Sequence, residues 1–178
     1  MSIKTKRLLL MPLTPEQLTS YLYEPQVLEQ GLGFPVSHSL VNDVVRRAIH
    51  VKLNKMQNLQ PGDLEWLTYW LVIVRQPPMG AGLIGFKGLP DMHGSVEIGY
   101  GIDPVYRNRG LITEAVKSLL AWAFQHENCQ VVIADTSKEN LASRRVLEKA
   151  GLQRYLDAGD ILSWKIEKKT WVQRHAQT

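Results

Sequence analysis

The stretch from Tyr106 to Thr113, YRNRGLIT, places two arginines and a glycine directly before a segment with helical periodicity. A helix N-terminus exposes unpaired backbone N–H groups and the positive end of the helix dipole, so it offers donors to an anion such as phosphate. Gly110 permits close approach of the backbone, and Arg107 and Arg109 add positive charge. These residues predict a phosphate-binding turn, although an ordinary basic turn containing a glycine has the same composition.

Two common phosphate-binding motifs do not fit this turn. The sequence lacks the G-x-x-x-x-G-K-[ST] pattern of a Walker-type loop. A dinucleotide-binding fingerprint opens a repeated parallel strand–helix–strand unit, whereas here a meander of three predicted strands precedes the turn. The turn therefore belongs to a different architecture.

Composition narrows the class of protein. With 178 residues, of which 44% are hydrophobic, the chain suits one compact domain over residues 1–178. The net charge is +4 and the basic residues are dispersed, which favours an anionic small ligand and argues against a nucleic-acid partner. The first apolar run is short and Pro12 interrupts it, so we expect no signal peptide, no membrane partner and a cytoplasmic location.

The cysteine and histidine content argues against an intramolecular disulfide and against a metal site. Cys129 is the single cysteine of the chain, so it cannot form an intramolecular disulfide. The five histidines are scattered, without the close His/Cys pairs that metal ligation usually shows, so we predict no metal site.

Segments before the turn predict two helices and four strands. Thr14 and Pro15 have the residue types of an N-cap and first helical position, and residues 41–56 repeat apolar side chains at helical spacing. Residues 31–39, with two glycines and a proline, predict a loop. Aromatic and β-branched runs predict strands at 7–12, 65–74, 81–89 and 95–102.

Segments after the turn alternate between helices and strands. Helices are predicted at 111–124 and 140–150, and strands at 131–134, 152–157 and 161–167. This order next to an antiparallel meander predicts an α+β protein. Its central sheet should be mixed, mostly antiparallel and twisted, with about six to seven strands flanked by helices.

Two motifs give the region 97–152 a family resemblance. These are EIGYGIDPVYRNRGLITEAVKSLLAWAF and ADTSKENLASRRVLEKAGL, and both resemble the GNAT superfamily of N-acetyltransferases. The E-N-x-x-S-x-R-V-L-E-K-x-G run at 139–151 is most similar to the branch of ribosomal-protein N-terminal (alanine/serine) acetyltransferases. Arg107-x-x-Gly110 matches the first part of the family's Q/R-x-x-G-x-G/A pyrophosphate loop, whereas Ile112 stands where Gly or Ala is usual.

The resemblance implies one GNAT domain that binds acetyl-CoA in a V-shaped splay between the strands at 95–102 and 131–135. Pantetheine would bond to backbone groups near Gly101, Ile102 and Asp103. The other cofactor-binding residues that the resemblance implies are Arg107, Asn108, Arg109, Gly110, Leu111, Ile112 and Thr113 at the pyrophosphate, and Asn140, Ser143 and Arg144 on the next helix.

Direct acetyl transfer to a primary amine needs a neutral amine, a donor for the developing oxyanion and a proton for the leaving thiolate. Glu97 is a candidate base, and the alternative role for it is a solvent-facing strand residue. A backbone N–H near Tyr100 would polarise the thioester carbonyl. Ser143 is a candidate donor to the sulfur, or a small residue packing locally, and Asn140 also suits a helix N-cap.

The acceptor and the activity each leave alternatives. An α-amine with a pKa of about 8 is roughly a tenth neutral at pH 7, whereas a lysine near 10.4 is neutral in well under one part in a thousand. The branch resemblance favours a protein N-terminus, and a small-molecule amine also fits.

The rival functions are an acyl-CoA-binding domain without turnover and, from the pI of about 9.2, a nucleic-acid-binding module. A monomer or a homodimer is expected.

Overall fold

The structure, a computed structural model, describes residues 1–175 and contains one eight-stranded sheet with helices on both faces. The strands are β1 Ile3–Lys4, β2 Leu8–Pro12, β3 Trp70–Arg75, β4 Pro78–Phe86, β5 Ser95–Ile102, β6 Val131–Ser137, β7 Gln153–Ala158 and β8 Ile161–Glu167. Their order in the sheet is β1-β2-β3-β4-β5-β6-β8-β7. All neighbours are antiparallel except β5 and β6. The predicted mixed, mostly antiparallel sheet is confirmed, with β1 as a strand too short for its sequence to reveal.

Helices cover the two faces of the sheet with separate apolar cores. Side chains of α1, α2 and α3 form one core with β3 and β4, and side chains of α5, α6 and α7 form the other. The sheet therefore lies between two helical layers and contributes side chains to both cores. The helices are α1 Pro15–Tyr23, α2 Pro25–Leu32, α3 Asp43–Lys55, α4 Leu64–Leu67, α5 Leu111–Ala123, α6 Leu141–Ala150 and α7 Lys168–His175.

Local sequence fixes several helix ends. Thr14 caps α1 in a capping box with Gln17, in which each side chain accepts the other's backbone N–H, and Pro15 occupies the first turn. Gly151 ends α6 in the left-handed conformation with a φ of 95°, which a side chain would disfavour. These signals explain why the predicted helix boundaries agree with the structure to within about two residues.

The parallel pair β5 and β6 opens into a V. Its pairing covers only Ser95 to Glu97 against Val131 to Ile133. Beyond that point β5 continues beside β4 to Ile102, while β6 continues beside β8 to Ser137. The predicted splay between the strands at 95–102 and 131–135 is confirmed.

Two strand predictions were partly wrong. The strand expected at 81–89 is β4, which begins and ends three residues earlier. Residues 65–74 were expected to be extended throughout, but the first part lies in the short helix α4 and the strand begins only at Trp70. Trp66 and Trp70 both pack in the core, so burial alone does not separate helix from strand in a short aromatic run. Helices α2 and α7 were not predicted. Within residues 1–175, no helix is both long and apolar enough to cross a bilayer.

Candidate active site

A cleft of about 720 Å³ opens where β5 and β6 separate. It is bounded by the end of β5, the turn before α5, the first turns of α6, and Leu40 from the loop before α3. The cleft thus combines the predicted phosphate-binding turn with the predicted strand splay. Of the predicted site residues, those that line it are Tyr100, Gly101, Ile102, Arg107, Asn108, Gly110, Leu111, Ile112, Thr113, Asn140 and Ser143.

The turn before α5 presents backbone donors to this cleft. Asn108 and Gly110 both adopt left-handed backbone conformations, with φ of 61° and 72°. Gly110 occupies the N-cap position and no side chain caps this end of α5. Helix geometry leaves the N–H groups of residues 111–113 without intrahelical acceptors, so they remain available to an anion.

Ile112 does not obstruct the turn. Its side chain is 6% exposed and packs in the core beneath α5. The departure from the family's usual Gly or Ala is therefore accommodated by burial of the side chain, which leaves the backbone on the cleft.

The wall formed by β5 offers free backbone groups at alternate residues. Lys87 N donates to Glu97 O and Asp103 N donates to Ala81 O, both at 2.8 Å. Since bonded pairs alternate along an antiparallel ladder, Gly101 also bonds to β4, whereas Tyr100 and Ile102 direct N–H and C=O towards the gap. The backbone groups of Gly101 and Asp103 are therefore engaged by β4, and those of Tyr100 and Ile102 face the gap. Arg107 Nε lies 3.5 Å from the Ile102 carbonyl oxygen.

Asp103 anchors a loop and does not line the cleft. Its carboxylate accepts hydrogen bonds from the hydroxyls of Ser37 and Ser39 and from Val105 N. The Ser37 bond, with these others, lowers the pKa of Asp103. Both serines belong to the loop that carries Leu40, whose side chain lies 3.4 Å from the position that a Cβ on Gly101 would occupy. The Asp103 carboxylate thus attaches the loop that carries Leu40 to the end of β5.

The N-terminus of α6 forms the opposite wall. Asn140 Oδ1 accepts from Ser143 N at 3.0 Å, so the N-cap role that its residue type suggested is present. Tyr100 Oη donates across the gap to the Ser143 carbonyl at 3.2 Å. Burial raises the pKa of Tyr100, and its hydroxyl therefore stays protonated at neutral pH. This hydrogen bond joins the β5 wall of the cleft to the α6 wall.

Three other predicted residues lie away from the cleft lining. Glu97 forms an ion pair with Lys87 on the face of β5 opposite Tyr100, as the alternation of strand side chains requires. Arg109 places its guanidinium over the ring of Tyr106, 5.4 Å from the centroid. Arg144 Nη1 donates to the Lys138 carbonyl at 3.0 Å.

Several lining residues were not predicted. Arg145 and Lys149 face the cleft four residues apart on α6, and Val146 lies between them. Arg145 and Lys149 lie four and eight residues after Leu141, which also lines the cleft, so these three residues share one face of α6. A spacing of four from Asn140 points instead to Arg144, so the sequence did not select Arg145. Leu40 and Tyr106 carry no such signal, since a loop and a short 3₁₀ turn bring them to the cleft.

The chain is similar to a known protein family and to several curated bacterial proteins. A family model described as an acetyltransferase (GNAT) domain matches residues 7–153. An uncharacterised N-acetyltransferase of Bacillus subtilis, YjdG, is 33% identical over 82 residues, which are 46% of this chain and 49% of the relative. The chain spans about half the length of the curated relatives it matches.

Solved structures extend the similarity of the fold over most of the chain. The RimL ribosomal L7/L12 alpha-N-protein acetyltransferase in complex with coenzyme A has a TM-score of 0.65 at 15% identity, covering 94% of this chain and 98% of its own. The ribosomal-protein-S5-alanine acetyltransferase of Vibrio fischeri has a TM-score of 0.63 at 15% identity, covering 96% and 98%. At these identities the likeness concerns the fold alone.

Proposed function

The chain belongs to the GNAT acetyltransferase family, and from that premise we propose that it transfers the acetyl group of acetyl-CoA directly to a primary amine. The observation that carries the proposal is the continuity of the cleft. An uncapped helix N-terminus opens onto the same cleft as the unpaired backbone groups of β5. An anion site joined to an extended row of donors and acceptors suits a phosphorylated cofactor with an amide-containing arm.

The donor side can be assigned group by group. The pyrophosphate binds the N–H groups of residues 111–113, with Arg107 and Asn108 beside them. The pantetheine amides bond to the backbone of Tyr100 and Ile102 on one wall and to the Asn140 side chain on the other. The 3′-phosphate of the cofactor binds the cations of α6 that line the cleft, Arg145 and Lys149.

The reaction forms a C–N bond as the C–S bond of the thioester breaks. The amine nitrogen attacks the carbonyl carbon, and the N–H of Tyr100, at the divergence of the strands, stabilises the oxyanion. The departing thiolate takes a proton from a hydroxyl, for which Tyr100 and Ser143 are the candidates on the cleft wall. The acetylated nitrogen then loses its excess proton to solvent, and the ionised hydroxyl takes a proton back from solvent.

The acceptor proposed is an α-amine, such as a protein N-terminus. Glu97, the candidate base, has its carboxylate engaged by Lys87, and the charged side chains that line the cleft include Arg107, Arg145 and Lys149. An amine that is already partly neutral suits these surroundings, and an α-amine with a pKa of about 8 meets that condition at pH 7. Two solved structures of the same fold are named for action on ribosomal proteins, so peptides from such N-termini are suitable probes.

The proposal is tested by measuring CoA binding calorimetrically and acceptor-dependent thiol release from acetyl-CoA. The acceptors are a peptide with a free Ala or Ser N-terminus, the same peptide N-acetylated and carrying one lysine, and a small alkylamine. Release with the first peptide alone is the expected result. CoA binding without thiol release from any acceptor would favour the non-catalytic acyl-CoA-binding alternative, and release with the alkylamine alone would contradict the α-amine.

Glu97→Gln tests the role of the carboxylate separately. For an α-amine acceptor we expect kcat/KM to change by less than about threefold, because no carboxylate base is required. Lys87→Met, which removes the ion-pair partner and leaves Glu97 in place, is the matched control. A loss of about a hundredfold in Glu97→Gln, with Lys87→Met active, would instead identify Glu97 as the general base.

A further inference from the structure

The segment before β2 is bonded to the first turn of α5. Arg7 donates from Nε to Glu114 Oε2 at 2.7 Å and from its backbone N to Glu114 Oε1 at 3.0 Å. Thr5 Oγ1 donates to the same carboxylate at 2.6 Å. Arg7 Nη1 also donates to the carbonyl of Arg109 at 2.8 Å. One guanidinium thus contacts both the helix and the turn that precedes it.

Glu114 creates an electrostatic problem for an anion site. An acidic residue in the first turn stabilises a helix through the dipole, and α5 has Glu114 in that position. The same carboxylate repels a pyrophosphate bound at the helix N-terminus. Burial alone would raise the pKa of Glu114, but hydrogen bonds from Thr5 and Arg7 and the Arg7 charge lower it, so the carboxylate stays ionised and paired.

The turn also has an unusual backbone. Arg109 lies between Asn108 and Gly110, which are both left-handed. Asparagine and glycine tolerate this conformation, but nothing in their side chains holds the turn in one shape. The bond from Arg7 to the Arg109 carbonyl fixes the peptide at the centre of the turn, from which the N–H groups of α5 are directed to the cleft.

We propose that Arg7 is a positioning residue for the cofactor's pyrophosphate, holding the Asn108–Gly110 turn through the Arg109 carbonyl and neutralising Glu114 beside it. This inference rests on the proposed function, which places the pyrophosphate at the start of α5. Arg7 does not line the cleft, so it acts through the turn and through Glu114.

If Arg7 had a purely structural role, Arg7→Ala would lower Tm and would have no specific effect on CoA binding. We expect Tm to stay nearly unchanged instead, because exposed ion pairs contribute little to stability. For a positioning role, the KM for acetyl-CoA and the Kd for CoA should rise roughly tenfold, the scale of one charge-assisted contact at a helix terminus, with kcat unchanged. With acetyl-pantetheine, which has no pyrophosphate, kcat/KM should be the same as for the wild type.

The contribution of Glu114 is separated by a second substitution. In Arg7→Ala/Glu114→Gln the unpaired carboxylate is gone, so part of the lost CoA affinity should return, roughly threefold. Arg75→Ala is the matched control, because Arg75 Nη1 donates to the carbonyls of Thr5 and Lys6 on the same segment. We expect this control to bind CoA like the wild type.

The outcomes separate the two proposals. Failure of the wild-type protein to bind CoA would overturn the proposed function. Wild-type binding with an unchanged Kd in Arg7→Ala would overturn the positioning role alone. An equal loss in Arg75→Ala, or an equal loss with acetyl-pantetheine, would also overturn it, since the effect would then come from a loosened segment or from general damage to the cleft.

Discussion

Tyr100 is the side chain that joins the two sides of the cleft. It belongs to β5, and its hydroxyl bonds to the backbone of α6 at the Ser143 carbonyl. Because the acceptor is a backbone atom, replacing the Ser143 side chain leaves this bond intact. The two hydroxyls considered as proton donors to the thiolate can therefore be tested independently.

Tyr100→Phe should reduce kcat on the order of a hundredfold if its hydroxyl protonates the thiolate, and Ser143→Ala should then have a small effect. The raised pKa of Tyr100 keeps the donor protonated, so the wild-type rate should not fall as pH rises from 7 to 9. Stopped-flow thiol release in the acetylation assay measures both variants. Tyr155→Phe, an exposed tyrosine on β7, is the control. The reverse pattern, with Ser143→Ala impaired and Tyr100→Phe active, would assign the proton to Ser143.

At the scale of an element, the start of α5 depends on its left-handed glycine. Gly110 has a φ of 72°, and a Cβ added there would meet only Arg7 Nη2, at 3.6 Å. Gly33, which ends α2, has a φ of 77° and nothing within 4 Å of an added Cβ. Alanine would have the same unfavourable left-handed backbone conformation at both positions, but of the two only Gly110 lines the cleft.

Gly110→Ala and Gly33→Ala should each lower the free energy of unfolding by roughly 1–2 kcal/mol, the cost of a left-handed non-glycine residue. Only Gly110→Ala should also weaken CoA binding, by about fivefold or more, because relaxation of the turn redirects the N–H donors. Chemical denaturation and calorimetry provide the two measurements. Equal CoA affinity in both variants would show that the turn does not bind the cofactor.

Helix α3 is attached to the sheet by a buried lysine. Lys52 is 5% exposed, and its Nζ donates to the carbonyls of Leu67, Thr68 and Phe86. Burial, with the nearby Lys55 charge, lowers the pKa of Lys52 to about 7. An unfolded lysine titrates near 10.4, so between these values the unfolded chain binds more protons and stability rises with pH.

Lys52→Met should remove this pH dependence. Relative to the variant, the wild type should gain on the order of 2 kcal/mol of unfolding free energy between pH 7 and pH 9. At pH 9 the variant should also be less stable than the wild type, because buried carbonyls lose the N–H donors of Lys52. Urea denaturation across this pH range measures both effects. Lys55→Met, the control, should keep most of the rise of unfolding free energy with pH. If the wild type and Lys52→Met gave parallel curves of unfolding free energy against pH, Lys52 would not be the titrating group.

At the scale of the whole molecule, one sheet separates two cores. All five tryptophans lie in the core beneath α5, whereas Ile49 of α3 is fully buried in the other core. If residues 1–178 form one domain, as the sequence predicts, the cores unfold together. A substitution in one core should then be detected by probes in the other.

Ile49→Ala should lower the free energy of unfolding by about 2–5 kcal/mol through the cavity it leaves. The tryptophan fluorescence transition should shift by the same amount as the far-UV circular dichroism transition, although no tryptophan lies in the core that is altered. Leu119→Ala in the tryptophan core is the matched control. Two separate transitions in Ile49→Ala would show that the helical layers unfold independently.

By itself the sequence determined the local features of this protein. The glycine and arginines at 107–110, the cap at Asn140 and the glycine at 151 act over a few residues, so their types and spacing predict a helix N-terminus and a helix boundary. The strand alternation at 95–102 likewise indicated which residues share a face. These rules were sufficient to predict the turn before α5 and the helix start at Asn140, both of which line the cleft.

The tertiary structure alone decided which charges face that cleft. Glu97 forms an ion pair with Lys87, and the packing of α6 places Arg145, in preference to Arg144, at the cleft. The bond from Arg7 to Glu114 joins residues 107 positions apart. Such contacts depend on strand register and helix packing, which no short-range pattern encodes, so the contacts that hold the turn before α5 became visible only in the folded chain.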